Sequence, residues 1–491
     1  MKKIISSILA IAMIVSVAMI LTVGTNAQTA PWDGASLASA YSGGTGTAED
    51  PYLISTPEEL YLIQMNTTFD VDENAYFKLT ADINLGGGFW IPIGTATTNP
   101  FTGHFDGNGY TVFNFESLYQ PAGLFGVISG SVRNLKVDYA TCATNQNIAG
   151  GIAAKIINGA VIENCEVGEN VIITTGSSTT APMIGGIVGL VETDPEAEPA
   201  TVRNCISRAT VDVSARSSNS GTAGGIAGKI QGSSVVENVI NYGTLKFTYQ
   251  DVPEKDQTSL GGIAGSPAGA DGPGFIKNAI NFGKIEGNDS YAGGIIGATT
   301  NADGGSLTNC FNVSTDIAGT KGFGSVLGRG PKDFVASGCV AIITDTLTEF
   351  VGLKVEGLTY GGDGIARASS SADFELNAAY NEIMSTVPAA LPTWNTVEDI
   401  DYDPEIHGKP EESTPVETDP VTPEDTDPIT PTETDPQTPV ETKPQTPAQT
   451  QKPSAGTEKP ADDGGCGSVI ASGLAIFAVV SLAGSVLTKK K

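Results

Sequence analysis

Val202-Arg203-Asn204-Cys205 decides the fold, because the chain writes nearly the same four residues six times. The other copies are Val132-Arg133-Asn134-Leu135, Ile162-Glu163-Asn164-Cys165, Val236-Glu237-Asn238-Val239, Ile276-Lys277-Asn278-Ala279 and Leu307-Thr308-Asn309-Cys310. Their asparagines lie 30 to 40 residues apart. That period belongs to solenoids, propellers and arrays. The first column is aliphatic, the second is charged or Thr, and the fourth is apolar and of small to medium size. Apolar beside charged is the period-two pattern of a half-buried strand. If the copies stack in register, each column becomes a ladder with steps of roughly 4.8 Å. The outward ladder then reads Arg133, Glu163, Arg203, Glu237, Lys277, and opposite charges on neighbouring strands favour that stacking.

The asparagine column Asn134, Asn164, Asn204, Asn238, Asn278, Asn309 is expected to form a structural ladder. Stacked amides donate to one neighbour and accept from the other, which satisfies a buried polar group. Asparagine also tolerates the left-handed backbone of a sharp corner. The alternative is a set of ordinary turn residues with exposed side chains.

A second line accompanies each copy: Gly123-Leu124-Phe125-Gly126, Gly151-Ile152-Ala153-Ala154, Gly186-Ile187-Val188-Gly189, Gly225-Ile226-Ala227-Gly228, Gly262-Ile263-Ala264-Gly265 and Gly294-Ile295-Ile296-Gly297. Glycine on both sides of two apolar residues gives a short strand with close backbone approach at its ends. The doublet Gly224-Gly225 is not a phosphate loop, since no Lys-Ser/Thr follows it and no βαβ context surrounds it.

These lines resemble the GLUG repeat of bacterial surface and adhesin-like proteins, found also in the N-terminal part of secreted IgA-type metallopeptidases. Gly46-Thr47-Ala48-Glu49-Asp50-Pro51-Tyr52-Leu53-Ile54 and the segment from Phe101 to Val112 look like the stretches that lead into such repeats. The resemblance covers roughly residues 43 to 345. It implies a right-handed parallel β-solenoid (β-helix) on a cell surface. It implies no activity, which must be argued from a site.

Composition narrows the function. Charged residues make up 16% of the chain and the formal net charge is −29. With no basic stripe to neutralise phosphates, nucleic acid is not an expected partner. Glycine, at 60 of 491 residues, suits a turn-rich solenoid. Lys2, Lys3, an apolar run from Ile4 to Val23 and Thr25-Asn26-Ala27 read as a signal peptide cleaved after Ala27, with an uncleaved anchor as the alternative. The body is therefore expected outside the cell. Cys165, Cys205 and Cys310 share the apolar fourth column, so free, buried cysteine is expected there. Cys142 and Cys339 have no evident partner. No CxxC pair exists and the two histidines, His104 and His407, lie in different regions, so neither a zinc site nor any cofactor is expected.

The organisation follows from these features: signal peptide 1–27, N-terminal cap and first coils 28–120, GLUG-type repeats 121–345, C-terminal cap 346–397, Pro/Thr/Asp/Glu-rich disordered stalk 398–465, transmembrane helix 466–488 and cytoplasmic basic tail 489–491. Thr56-Pro57-Glu58-Glu59 is a capping box that starts a helix over Pro57–Met65. A second helix is expected from Phe374 to Met384. Polar insertions at Gly176–Pro182, Thr193–Pro199 and Gln250–Thr258 are expected to project as loops. Thirteen of the 28 prolines fall between Pro404 and Pro460, where almost nothing apolar could be buried. Proline-rich chain of that length extends on the order of 150 Å. The run from Gly467 to Leu487 is long enough to cross a bilayer, and Lys489-Lys490-Lys491 marks the inner side. A stalk, a helix and a basic tail resemble the anchors of Gram-positive surface proteins. The Leu-Pro-x-Thr-Gly sorting signal is missing, with Asp462-Asp463-Gly464-Gly465-Cys466 in its place, so retention in the membrane is expected.

No His-Glu-x-x-His metallopeptidase motif occurs, and no calcium loop has the required spacing. Asp82, Asp106 and Asp303 are the candidate carboxylates for polysaccharide cleavage, although Asp106-Gly107-Asn108-Gly109 reads first as a turn. The expectation is a non-enzymatic surface display protein with no catalytic, cofactor or metal residues, binding an extracellular protein or glycan. The alternative is a membrane-tethered enzyme acting on extracellular polysaccharide.

Overall fold

The repeated lines become strands because their apolar columns can only be buried against the same columns of neighbouring copies. A computed structural model describes residues 32–394, less 69–73, 120, 145–147, 176–180, 214–220, 248–257, 270–271, 289, 300–306, 320, 331–335, 345–346, 348–350, 355–364 and 369. The signal peptide, stalk, transmembrane helix and basic tail expected from the sequence lie outside these residues, as do Asp303, His407 and most of the loops at 176–182 and 250–258.

The chain is mostly parallel β-sheet with few helices. One copy illustrates the path. Thr222–Gly224, Ala227–Gln231, Val235–Asn241 and Leu245–Phe247 each join a different sheet, and Ser259–Gly261 then pairs with Thr222–Gly224, one rung along. The sheet that holds the asparagines is the longest. Its main path runs from Tyr52–Ile54 through Tyr76–Leu79, His104–Asp106, Ser131–Arg133 and Val161–Glu163, then through the longer strands Thr201–Ser207, Val235–Asn241, Phe275–Asn281 and Leu307–Asn312 to Cys339–Ile342 and Ile365–Ala368. Stacking thus begins at Tyr52, some 80 residues before the first recognisable copy.

Register is what makes the core. Phe77, Phe105, Val132, Ile162, Val202, Val236, Ile276 and Leu307 are directly paired in order and none is more than 2% exposed. Burying one such side chain is worth about 1.5–3 kcal/mol. Aromatic rings fill the early rungs, where Phe101 and Phe125 lie 5.2 Å apart and Phe115 stacks on Tyr139 at 4.0 Å. Later rungs carry Val, Ile, Ala and Cys in the equivalent columns.

The expected N-terminal helix is present and extends to Pro57–Thr68. Its capping box is made: Glu59 N donates to Thr56 Oγ1 at 3.3 Å, and Glu59 Oε2 accepts from Thr56 N at 3.2 Å. Leu60 and Ile63 are buried on its inner side.

At the other end the structure corrects the sequence reading. The helix expected over Phe374–Met384 is a 3-10 turn, Ser371–Leu376, followed by an α-helix, Ala378–Ala390, whose N-cap Asn377 Oδ1 accepts from Ala379 N and Tyr380 N. This pair does not simply close the last rung. It lies across the outer face of the long sheet, where Ile206, Ile240, Ile280 and Phe311 form an apolar column. Phe374, Tyr380, Ile383 and Val387 complete that second core. The physical reason is that these strand halves are apolar on both faces and need covering.

Candidate interaction surface

The surface is built on the Asn column. All six ladder asparagines have left-handed backbone, with φ between 51° and 55°, so each sits at a corner that divides its copy into two strand halves. Their side chains are half-buried. Asn204 Nδ2 donates to Asn164 Oδ1 at 3.2 Å, Asn164 to Asn134 at 3.1 Å, and Asn134 to Asp106 Oδ1 at 2.9 Å. A second run goes from Asn309 to Asn278 at 3.1 Å and from Asn278 to Asn238 at 2.9 Å. After Asn309 the position is Gly338, whose φ is 65° and where an added Cβ would stand 2.4 Å from Asn309 Oδ1. The corner continues there without an amide.

Beside the corners runs the outward charge column. Pairing places Lys78, Asp106, Arg133, Glu163, Arg203, Glu237, Lys277 and Thr308 on successive strands. The alternation extends two rungs beyond the five charges legible in the repeat. Arg203 grips Glu163 with two hydrogen bonds, Nε to Oε1 at 2.9 Å and Nη2 to Oε2 at 3.1 Å. Arg133 Nη2 lies 3.1 Å from Asp106 Oδ2. The Glu163 hydrogen bond, helped by the Glu163 and Glu237 charges, raises the Arg203 pKa against the opposing effect of partial burial.

Among the candidate acids, Asp106 is committed to structure, holding Asn134, Arg133 and the Asn108 N–H, the last at 2.9 Å. Asp82 accepts from Thr111 N at 2.7 Å, and burial pushes its carboxyl above the usual range despite that bond. Asp303 lies outside the described residues. His104 Nδ1 pairs with Ser131 Oγ at 2.8 Å, and its pKa is lowered by burial and by the Arg133 charge. Among the described residues no three His, Cys, Asp or Glu side chains gather as a metal-holding group, and no helix is long and apolar enough to cross a membrane.

Cys142, Cys165, Cys205, Cys310 and Cys339 are free and buried. Pairing puts Cys165 next to Cys205, and Cys310 next to Cys339, as neighbouring free thiols. Burial pushes the Cys165 and Cys310 thiols far above their ordinary range and that of Cys142 up to about 12.

Two features were missed in the sequence. The first is a fully buried amide ladder: Asn241 Nδ2 donates to Asn281 Oδ1, and Asn281 Nδ2 to Asn312 Oδ1, both at 2.9 Å. Its signal was the repeated Ile240-Asn241-Tyr242-Gly243 and Ile280-Asn281-Phe282-Gly283. The second is the flank beside it, where Tyr242 and Phe282 stack at 4.9 Å and 7° and Arg208 lies over Tyr242 at 4.7 Å. Arg208 also reaches Glu166 at 3.2 Å, and Trp394, after the C-terminal helix, donates to the same carboxylate at 3.1 Å.

No family model matches the chain. A "Putative Gly-rich membrane protein" of Evansella cellulosilytica is 38% identical over 144 residues, 26% of this chain and 16% of that protein. Halomucin of Haloquadratum walsbyi is 33% identical over 170 residues, 32% of this chain and 2% of its own length. The chain thus spans a small part of the curated relatives it matches. Among solved structures, a "putative immunoglobulin A1 protease" from Bacteroides ovatus is similar at a TM-score of 0.43 and 20% identity, over 71% of this chain and 91% of that one. An "IgA1 Protease" is similar at 0.35 and 14%, over 54% and 22% respectively.

Proposed function

We propose that the chain is a non-enzymatic surface display protein: a right-handed parallel β-solenoid of GLUG-type repeats, exported, held away from the membrane by the 398–465 stalk and retained by the 466–488 helix. It engages an extracellular protein or glycan through its sheet faces and loops. The main support is the outward column from Lys78 to Lys277, where Asp106 and Glu163 are each held by an arginine on the adjacent strand. Acid–base cleavage needs a carboxylate free to move a proton and a second one facing it, whereas Asp106, among the candidate acids, is locked in place. The names of the two sequence relatives, a membrane protein and a halomucin, agree with a surface or membrane location.

The test is a glycan and matrix-protein binding array probed with the full chain, run beside a polysaccharide degradation screen. Saturable binding without depolymerisation is expected. Depolymerisation abolished by Asp82→Asn or Asp106→Asn would replace this reading with the enzymatic one.

A further inference from the structure

Near the N-terminal helix the surface opens into a cleft of about 390 Å³, lined by Trp32, Asp33, Tyr61, Phe89 and Tyr119 among others. Its chemistry differs from that of the repeat faces. Phe89 is 60% exposed and Tyr119 50%, which is unusual for large rings in a chain with such deep burial elsewhere. Trp32, itself buried, lies 5.2 Å from Tyr61 and 6.0 Å from the buried Trp90. Asp33 is fixed at the rim. Its Oδ1 accepts from Ala35 N at 2.9 Å and Ser36 N at 2.6 Å, and its Oδ2 accepts from Ser36 Oγ at 2.6 Å. Those bonds hold its pKa down at about 2, so it is ionised at neutral pH.

We propose that this cleft binds a quaternary ammonium group, with the aromatic rings as a cage and Asp33 as the counter-charge. Ring faces carry negative potential and attract a cation within about 6 Å, and here the exposed rings are those of Phe89 and Tyr119. A methylated ammonium also has apolar surface to bury against those rings. No Lys, Arg or His lines the cleft to oppose a positive ligand. A sugar fits the lining less well, because it needs several directional partners. The side chains offer one carboxylate and two phenols, and the Trp32 indole N–H is already spent on Ser36 O at 3.0 Å. The site stands on its own residues and not on the display reading.

The experiment is calorimetric titration of the full chain in detergent with choline, its neutral isostere 3,3-dimethyl-1-butanol, N-acetylglucosamine and, separately, phosphatidylcholine vesicles. Saturable choline binding is expected, with the isostere at least about tenfold weaker. Asp33→Asn and Phe89→Ala are each expected to weaken choline about tenfold, and both side chains are exposed enough for the fold to survive. Vesicle binding that free choline competes away would identify a lipid headgroup as the source. Vesicles failing to bind while choline binds would identify a soluble or polymer-borne choline. The proposal is overturned if choline does not saturate, if the isostere binds equally well, or if the saccharide binds more tightly than choline.

Discussion

Asn281 and Asn312 hold each other through a 2.9 Å amide hydrogen bond in a place with no access to solvent. Asn281 also closes a loop on itself, accepting from Gly283 N at 3.0 Å and donating to Gly283 O at 3.2 Å, while its Oδ1 takes the Asn241 amide. Every polar atom of that side chain is therefore used, the condition for a buried amide to stabilise. Asn281→Ala would strand donors and acceptors on three residues at about 1–3 kcal/mol per group. We expect a loss on the order of 3–5 kcal/mol in denaturant unfolding. A loss below about 1 kcal/mol would show that the ladder is not stabilising.

The half-buried outer column should respond less. Asn238→Leu loses an amide bond and places a branched side chain on left-handed backbone, costing about 2–3 kcal/mol. Asn238→Gly keeps the backbone at ease and should cost about 1 kcal/mol. Glu237→Ala removes only an outward charge, worth under about 1 kcal/mol. Urea midpoints for the three variants should fall in that order.

Gly225 tests the close approach. An added Cβ there would stand 2.3 Å from Asn241 Cγ and 2.3 Å from Gly262 O. Gly225→Ala should destabilise by about 3 kcal/mol or more, since neither neighbour can yield without breaking its rung. Gly88, with open space around the same added carbon, should accept Ala within about 0.5 kcal/mol. Thermal melts of the two variants provide the contrast.

Asp138 gives a pH signature. Burial, only partly offset by the Asn170 amide at 3.1 Å, raises its pKa above that of the unfolded chain, and its Oδ1 has no partner in the structure. The folded state therefore holds this proton more tightly, and stability is lost as pH rises through the ordinary carboxyl range and beyond. Asp138→Asn removes the charge, so its melting temperature should exceed that of the parent at pH 7, and the difference should vanish below about pH 3. His104 acts in the opposite sense. Its lowered pKa means the unfolded chain binds the proton first, so stability falls as pH drops below about 6.5.

Much of this architecture could be read from Val202, Arg203 and their counterparts, because a column that alternates apolar and charged has only one way to hide its apolar half. Thr56 and Glu59 were equally legible, since a capping box is local. The buried ladder was not, because Asn241-Tyr242-Gly243 has the residue types of any turn. The recurrence at Ile280-Asn281-Phe282-Gly283 is the cue, and pairing with Asn281 and Asn312 turns it into a ladder. The side-lying helix was hidden for a related reason. Cys205-Ile206 and Val239-Ile240 set two apolar residues side by side, which means cover on both faces, but what supplies the cover lies more than a hundred residues away. Asn377 then moved the helix start past Phe374. The cleft at Trp32 and Phe89 was illegible because its rings come from segments with no repeat to compare.

The outer amide run that ends on Asp106 has a direction. Asn204, Asn164 and Asn134 each pass a hydrogen towards the N-terminus, and the carboxylate can only receive. That run starts at Asn204, and the separate run from Asn309 to Asn238 is flanked by Gly338, which has no amide to pass. Asp106 and Gly338 thus bookend the amide column while strand pairing runs on past both, so the outermost strands hold to the stack with no help from amide hand-offs.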